Sequence, residues 1–299
     1  MSNPKWCIVI PSYRGSLRLE KRLIPSWLRW MPNVPLCLFL QGFDEPSIRR
    51  IKAIGNDNLR VVTHDVYNPV CMPKVRQDAR DTFTDGYDYF LWTDDDVMFK
   101  EKSYECYQAA FKYLEEHKQC GYVQCNGYVG SNGWVFGEVR PHIGKSMFFC
   151  SLGIAMRNEG FDCGHRVPNV PLPDDLILPA YFYSRGYYIG QLRRCPTLHY
   201  GDRASDERGK KNVSTWLPGG LTTYAEHEAN TNRIKISATF ANNAKKISQR
   251  WFSGYFQLDP ETHSLSPIPE EAYEVYAKAA RERFGCEPEI TLDNYRSLC

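Results

Sequence analysis

The sequence predicts an α/β protein built on a mostly parallel β-sheet with helices packed on its faces. Short apolar runs alternate with helical segments along the first half of the chain, which is typical of βαβ units. Turn-forming and polar residues follow each apolar run. The composition, with 42% hydrophobic and 24% charged residues, is that of a soluble globular protein. Ligands of such sheets bind where the carboxyl ends of the strands meet.

Four runs are predicted as strands of this sheet, at 6–10, 36–40, 59–63 and 89–92, and all of them except 59–63 are expected to be buried. Helices are predicted between them at 17–30, where apolar residues recur at helical spacing, at 46–54, which begins at a proline and is followed by Gly55, and at 74–83, which is polar. A further helix is expected at 104–117. The segments that follow the strands place polar residues at one edge of the sheet, and these are 11–15, 41–44, 64–65 and 94–96.

The second half of the chain predicts β structure at 121–137 and 147–156, a helix at 176–186 and a strand at 187–194. Pro269 opens a predicted helix that ends at Phe284, with acidic residues in its first turn and Gly285 after it. We therefore expect a core formed by residues 1–202 and a smaller mixed extension formed by residues 203–299.

Three consecutive carboxylates, Asp94, Asp95 and Asp96, end the fourth apolar run. Like charges at the end of a buried strand repel one another and lose hydration unless a cation lies among them. Oxygen ligands suit Mg²⁺ or Mn²⁺. Asp94 and Asp96 are the better candidate ligands, because alternate residues of a strand point to the same side. A solvated acidic turn is the alternative interpretation.

A second acidic pair, Asp174-Asp175, precedes the helix predicted at 176–186. Capping and the helix dipole explain one carboxylate at this position. The second carboxylate of the pair is then a candidate for a catalytic role. His199 follows at the end of a later strand, where a lone histidine is more often structural than a ligand.

A polar, basic loop begins after Gly201 and offers Arg203, Lys210 and Lys211 as partners for a diphosphate, with Trp216 as an aromatic anchor. The stretch 202–250 carries nine Lys and Arg against five Asp and Glu, an excess of four positive charges. A basic stretch with aromatic residues in it is also able to follow a phosphate backbone. A solvated charged loop is the simpler explanation.

The overall charge and the cysteines limit the class of protein. A formal net charge of +2 gives no global field that selects nucleic acid or a membrane. Eleven cysteines, an odd number without CxxC pairs, favour free thiols in a reducing compartment over disulfides or a zinc site. No apolar stretch approaches the ~20 residues that span a bilayer. We therefore expect a cytoplasmic protein without a membrane anchor.

The order of these motifs resembles the GT-A-fold glycosyltransferases, particularly their family-2-like branch. In that resemblance the loop Pro11-Ser12-Tyr13-Arg14 holds the nucleoside, and Asp94-Asp95-Asp96 is the DxD motif that binds a divalent metal and the sugar-nucleotide. Further donor contacts are expected from the strand ends and from the helix before the triplet. These residues are Gln41, Asp65, Lys74, Arg76 and Arg80.

The resemblance implies a GT-A, Rossmann-like sheet and a metal-dependent transfer from a nucleotide-sugar donor, with a UDP-sugar as the expected donor. Mn²⁺ or Mg²⁺ is held by Asp94 and Asp96, with His199 completing the shell. Asp175 is the expected base of an inverting reaction and Asp174 its capping or acceptor-orienting partner, although the reverse assignment stays open. The chain departs from the family at Gln77, where Asn is usual, and at Asp174, where Glu is usual.

The sequence does not identify the acceptor of the transferred sugar. A stand-alone enzyme of this size is similar to the glycosyltransferases that modify hydroxymethylated pyrimidines in viral DNA, which implies host cytoplasm as the location and a base taken out of the stack. A saccharide of the cell envelope is an equal alternative. Two other classes remain: a nucleotidyltransferase, for which a Gly-rich phosphate loop after the first strand is missing, and an inactive GT-A binding module.

Overall fold

The computed structural model describes residues 5–67, 71–127, 133–142, 151–159, 161–170, 172, 177–199, 242–243, 246–247, 250 and 270–294. Six of the predicted site residues lie outside these ranges: Asp174, Asp175, Arg203, Lys210, Lys211 and Trp216. For His199 the structure describes the backbone but not the side chain.

The described strands form one eight-stranded sheet and one small ribbon. The sheet strands are β1 (Trp6–Tyr13), β2 (Leu36–Gln41), β3 (Leu59–His64), β4 (Tyr89–Trp92), β6 (Cys120–Asn126), β7 (Val139–His142), β8 (Ser151–Arg157) and β9 (Tyr188–Leu192), and the ribbon strands are β5 (Val97–Met98) and β10 (Leu198–His199). The spatial order is β3-β2-β1-β4-β8-β6-β9-β7. Strands β1 to β4 are parallel, as are β6 and β9, whereas β8 and β7 are antiparallel to their neighbours.

Helices cover both faces of the sheet. They are α1 (Ser16–Arg18), α2 (Ile24–Trp30), α3 (Glu45–Lys52), α4 (Met72–Phe83), α5 (Ser103–Glu116), α6 (Leu178–Tyr183) and α7 (Glu270–Phe284). A π-helical turn, Leu19–Leu23, joins α1 to α2, and there the Ile24 N–H donates to the Leu19 carbonyl. The wider turn precedes Pro25, which has no N–H to continue an α-helical ladder. The predicted fold class, a mostly parallel sheet flanked by helices, is confirmed.

Most of the predicted strands are buried because their residues are largely apolar on both faces, whereas no residue of the edge strand β3 is buried. All residues of β2, β4 and β6 are buried, as expected for strands covered by helices on both sides. Several aromatic side chains fill the space between sheet and helices, among them Trp27, Trp92 and Tyr107.

The C-terminal helix α7 belongs to the same core. Tyr276, Ala277 and Ala280 are fully buried, and Gly186 approaches the backbone of Ala280. The predicted boundary between residues 202 and 203 falls outside the described ranges, so the division into two domains stays a prediction.

The short strand β5 and the edge strand β7 were not predicted from the sequence, whereas β10 lies where His199 was expected at the end of a strand. Both ribbon strands contain two residues each, too few for a periodicity to be visible. Within the described part of the chain, no helix has the length and hydropathy needed to cross a membrane.

Candidate functional site

The carboxyl ends of the parallel strands meet at one edge of the sheet. Tyr13, at the end of β1, lies beside Gln41 of β2, and Gln41 lies beside His64 of β3. Trp92, at the end of β4, lies beside Val9 of β1. The predicted nucleoside loop, Gln41, Asp65 and the acidic triplet therefore come to the same edge, as the topology requires.

Asp95, the central carboxylate of the triplet, is buried against the loop that follows β1. It accepts hydrogen bonds from Ser12 Oγ and from the Arg18 guanidinium, the latter at 3.0 Å. Burial raises the pKa of Asp95 to about 6, although Arg18 and Ser12 act in the opposite direction. The pKa of Arg18 is also raised, since the nearby carboxylates outweigh the lowering by burial. Through these contacts, Asp95 holds the loop that follows β1 against the acidic triplet.

Gly15 makes this contact possible. A Cβ at Gly15 would collide with the Asp95 carboxylate and lie 2.7 Å from Ser12 Oγ. Only a glycine lets the backbone pass so close to the buried carboxylate.

Asp94 turns to the other side of the triplet. Arg76 of α4 donates to Asp94 Oδ1 at 2.8 Å, and its guanidinium lies 5.2 Å from the ring centroid of Trp92. The Arg76 side chain is 6% exposed, whereas that of Asp94 is 43% exposed. A buried cation therefore holds a carboxylate that solvent or a ligand can still reach.

The triplet lies in a turn between β4 and β5, not within a strand. The different directions of Asp94 and Asp95 therefore do not come from strand alternation. They come from the contact of Asp95 with Ser12 and the contact of Asp94 with Arg76. The ribbon then brings in a distant residue, because β10 pairs with β5 so that His199 lies opposite Val97. The backbone of His199 is thus beside the residue that directly follows Asp96.

A buried network of hydroxyl groups holds this ribbon in place. Thr197 Oγ1 lies 2.9 Å from Ser103 Oγ and 2.8 Å from the Tyr107 hydroxyl. Ser103 Oγ also accepts the Lys100 N–H, and Tyr107 donates to the Leu152 carbonyl. The network connects α5, the residues after β5, the residues before β10 and β8.

The predicted nucleoside loop has a fixed conformation. Arg14 has a φ of 52°, in the left-handed region, and its N–H donates to the Gln41 carbonyl at 3.1 Å. Its guanidinium lies 5.1 Å from the ring centroid of Tyr13. A non-glycine residue in this region is uncommon and is often found at a functional loop.

An aromatic stack not predicted from the sequence lies beside this loop. His64 stacks on Phe39 and on Tyr67, with ring centroids 5.0 Å apart in both pairs. Tyr67 donates a hydrogen bond to Asp78 of α4. Burial, followed by Asp78, raises the pKa of Tyr67. Asp65 follows His64, and its carbonyl lies 2.9 Å from His64 Nδ1.

Helix α4 carries three residues named in the prediction, and they have different environments. Lys74 is half-buried in its first turn, Arg76 reaches the triplet, and Arg80 donates to Asp81 at 2.7 Å and to the Asn158 carbonyl. The contacts of Arg80 thus anchor α4 to the end of β8, at the opposite edge of the sheet.

Gln77, which departs from the family pattern, has a structural environment. It is fully buried, donates to Asp81 and to the Phe161 carbonyl, and accepts the Gly164 N–H. It therefore joins α4 to the segment that leads toward residues 173–176.

The acidic pair Asp174-Asp175 lies outside the described residues, but its flanks are described. Leu172 pairs with Cys71 in an isolated bridge, and its carbonyl accepts the Met72 N–H at 2.9 Å. Ile177 follows the pair and is fully buried. The chain on the N-terminal side of the pair is thus held at the beginning of α4.

Three residues of the site were not predicted as site residues from the sequence: Gly15, Arg18 and Trp92. Arg18 and Asp95 are 77 positions apart, so no local pattern connects them. The sequence signal for their contact was that Ser12 lies near the end of β1 and Asp95 lies after the end of the neighbouring parallel strand β4.

The described carboxylates suit a divalent cation whose further ligands come from a bound substrate. No three His, Cys, Asp or Glu side chains converge among the described residues. Asp95 is occupied by Ser12 and Arg18, which leaves Asp94 and Asp96 as the described candidates. Mg²⁺ is commonly held by one or two carboxylates together with substrate phosphates, so this donor set fits such an ion.

Comparison with known proteins gives likeness in shape only. No family model matches the chain, and no curated protein matches its sequence. The crystal structure of S. aureus TarS 1-349 matches with a TM-score of 0.44 and 14% identity, over 98% of this chain and 90% of that one.

Two further solved structures are similar at the same level. One, described as a nucleotide-diphospho-sugar transferase from Desulfovibrio desulfuricans G20, matches with a TM-score of 0.41 and 15% identity, over 80% of this chain and 99% of that one. The other is CMP:2-keto-3-deoxy-manno-octonic acid synthetase complexed with CTP, with a TM-score of 0.39 and 11% identity, over 63% of this chain and 89% of that one.

Proposed function

We propose that this protein is a glycosyltransferase that takes a sugar from a nucleotide-sugar donor. The observation that carries the proposal is the ribbon β5–β10, whose register brings the backbone of His199 beside the end of the acidic triplet. The same edge of the sheet carries Ser12, Arg18 and Arg76, which contact that triplet. Carboxylates that can hold a metal, together with cations that stabilise a departing diphosphate, are groups that favour transfer from a sugar diphosphate.

Asp94 and Asp96 are the residues that would hold Mn²⁺ or Mg²⁺, with His199 as a further ligand. A divalent cation bound there would offset the negative charge that develops on the departing diphosphate. Arg76 is placed to add positive charge at the same point, because it already contacts Asp94 and is screened from water.

The nucleoside would lie over the loop Pro11–Arg14, near Gln41 and Asp65. The half-buried Lys74 is a further candidate contact for the donor. Because Asp95 fixes Ser12 and Arg18, the loop is held in one conformation before the donor binds. Such preorganisation lowers the ordering cost of binding.

Asp175 is the proposed general base, with Asp174 as its partner, in an inverting transfer. One carboxylate must take the proton of the acceptor hydroxyl as that oxygen attacks the anomeric carbon. Arg203, Lys210, Lys211 and Trp216 are proposed to contact the diphosphate or the acceptor, which remains either a hydroxymethylated pyrimidine in DNA or a saccharide.

The test is a thermal-shift panel of UDP-, GDP-, CMP- and dTDP-sugars, each with Mn²⁺ or with EDTA. We expect one donor to raise the Tm of the wild type only when metal is present, and Asp96→Asn to lose that rise. Turnover of that donor should fall about 100-fold or more in Asp96→Asn, since a charge-stabilising group is lost.

Asp81→Asn is the matched control, because Asp81 is a carboxylate outside the triplet that contacts Arg80 and His165. It should keep the metal-dependent rise in Tm. If no nucleotide-sugar stabilises the wild type with any metal, the proposal is wrong. If Asp81→Asn and Asp96→Asn lose the rise equally, the triplet has no special part in donor binding.

A further inference from the structure

A row of polar side chains crosses one face of the sheet next to the triplet. The registers place Trp92 opposite Ile154, Ile154 opposite Gln124, Gln124 opposite Gln191, and Gln191 opposite Arg140. Residues directly paired across strands point to the same face, and so does every second residue along a strand. Asn126 lies two residues after Gln124 on β6, where the register with β8 shifts and Asn126 comes opposite Ser151. It stays next to the residues that follow β9, because its carbonyl accepts the Cys195 N–H at 2.9 Å.

Buried amides without partners mark this row as unusual. Asn126 is 4% exposed, and among the described residues neither atom of its side-chain amide has a hydrogen-bond partner. Within the same described ranges, Gln191 Nε2 and Trp92 Nε1 are also buried without a partner. Burying an unpaired amide is unfavourable, and native proteins carry such exceptions at functional or strained sites.

A cationic and aromatic rim borders the amides at the end of β9. Arg193 donates to Gln191 Oε1 at 3.5 Å, and its guanidinium lies 4.9 Å from the ring centroid of Trp134. Arg140 lies 4.4 Å from the same ring but is paired with Glu138 at 2.6 Å. Burial, and after it the charge of Arg140, lowers the pKa of Arg193. A bound anion beside Arg193 would favour its charged form and act against this lowering.

We propose that Asn126, Gln191, Arg193 and Trp134 form the acceptor site, and that the acceptor is a sugar or polyol that carries a phosphate. The amides of Asn126 and Gln191 would exchange hydrogen bonds with neighbouring hydroxyls, since an amide both donates and accepts. Arg193 would pair with the phosphate and Trp134 would cover an apolar face of the acceptor. This inference rests on the proposed transfer, because the row begins at Trp92, two residues before Asp94.

The described residues favour such an acceptor over nucleic acid. A phosphate backbone is bound by several cations along a stripe. On this face the described rim carries two cations, Arg140, which is paired with Glu138, and Arg193, which donates to Gln191. Three buried amides, those of Gln124, Asn126 and Gln191, suit a hydroxyl-rich group more than a chain of phosphates.

The first test compares two buried amides that differ only in having partners. Asn126→Leu removes unpaired polar atoms and should keep or raise the Tm of the protein while the acceptor KM rises about 10-fold or more. Gln119→Leu is the control, because Gln119 is equally buried but donates to the Glu287 carbonyl and accepts the Glu289 N–H. It should lower the Tm and leave the acceptor KM unchanged. A lower Tm in Asn126→Leu with an unchanged KM overturns the proposal.

The second test needs no donor and no transfer. Binding of glucose 6-phosphate, glucose, inorganic phosphate and a hydroxymethylated DNA oligonucleotide is measured by calorimetry on the wild type, Arg193→Gln and Asn126→Leu. We expect glucose 6-phosphate to bind best, Arg193→Gln to reduce its affinity to that of glucose, and Asn126→Leu to weaken both sugars.

The two proposals can fail separately. Binding of the sugar phosphate without metal-dependent donor binding contradicts the proposed function but supports this site. Donor binding with no sugar-phosphate binding overturns the site alone. Tightest binding of the oligonucleotide, weakened by Arg193→Gln but not by Asn126→Leu, identifies nucleic acid as the acceptor and also overturns this inference.

Discussion

Asp95 shows how one residue of an acidic run can differ from its neighbours. Its carboxylate is buried and contacts Ser12 and Arg18, whereas Asp94 remains accessible. Burial penalises the charged form more than Arg18 favours it, which is why the pKa of Asp95 rises to about 6. A carboxylate in this position fastens the loop after β1 and is less suited to bind a metal.

The raised pKa has a direct consequence for stability. The folded protein keeps a proton on Asp95 between pH 3.8 and about 6, where the unfolded chain has lost it. The stabilising contribution is therefore complete below the unfolded pKa and is lost as the pH rises through about 6. In EDTA, we expect the stability of the wild type relative to Asp95→Asn to fall by roughly 3 kcal/mol over this interval. Urea unfolding at a series of pH values measures this difference.

Asp44→Asn supplies a control of opposite sign. Asp44 caps α3 and accepts the Ser47 N–H at 2.9 Å, and the hydrogen bonds from Ser47 lower its pKa. Its contribution should be present at neutral pH and be lost as the pH falls. If Asp95→Asn shows the same sign as Asp44→Asn, the ionised form of Asp95 is the favoured one and the assignment is wrong.

At the scale of elements, the ribbon β5–β10 is too short to fix its own position. Two paired residues on each side supply few hydrogen bonds, so the buried hydroxyls of Ser103, Tyr107 and Thr197 must position β10. The bulge in the pairing of β6 with β8 contributes, because the Leu152 carbonyl accepts from Tyr107 and from Thr93. Irregular pairing of this kind often lies next to a functional site.

Thr197→Val should therefore weaken ligand binding more than folding. The substitution keeps the shape of the side chain and removes its two hydroxyl contacts, at a cost of about 1 kcal/mol in stability. We expect the metal-dependent rise in Tm with the nucleotide-sugar to fall by more than half, because β10 loses its register against Val97. Thermal unfolding with and without donor and Mn²⁺ gives both quantities.

Thr84→Val is the matched control for Thr197→Val. Thr84 is equally buried, and its hydroxyl donates to the Arg80 carbonyl at 2.8 Å and lies 2.9 Å from Asn158 Oδ1. It lies at the end of α4 away from the site. A similar loss of stability with an intact donor response is expected. Equal losses of the donor response in both variants would mean that β10 is not specially positioned by Thr197.

The sequence predicted the elements whose pattern is local and missed those that depend on distant partners. Strands β1 to β4 and helices α3 to α5 lie where apolar runs and helical periodicity indicated, within a few residues. The two-residue strand β5 has no such pattern. The triplet was recognised as a site, but the contact of Arg18 with Asp95 joins residues 77 positions apart. The unpaired amide of Asn126 looked like any polar residue at a strand end.

At the scale of the whole molecule, α7 packs into the core of the sheet. Gln119, at the beginning of β6, bonds to the backbone at Glu287 and Glu289. The Tyr273 hydroxyl donates to the Ile290 carbonyl at 2.8 Å. The described part of the C-terminal region thus shares its interior with the strands that carry the proposed acceptor site.

Gly186 offers a sharp test of this packing. It lies three residues after α6 with a φ of 78°, and a Cβ there would collide with the backbone of Ala279 and Ala280 in α7. Gly186→Ala must therefore displace α7, and we expect a loss of about 3 kcal/mol, from overpacking together with left-handed strain. Gly285→Ala is the matched control, since Gly285 has a φ of 67° and open space around it. It should lose only about 1 kcal/mol through strain. Urea unfolding of both variants separates the steric effect from the backbone strain. Equal losses of stability would show that the contact between α7 and Gly186 adds no steric cost, which would contradict the close packing of α7 in this core.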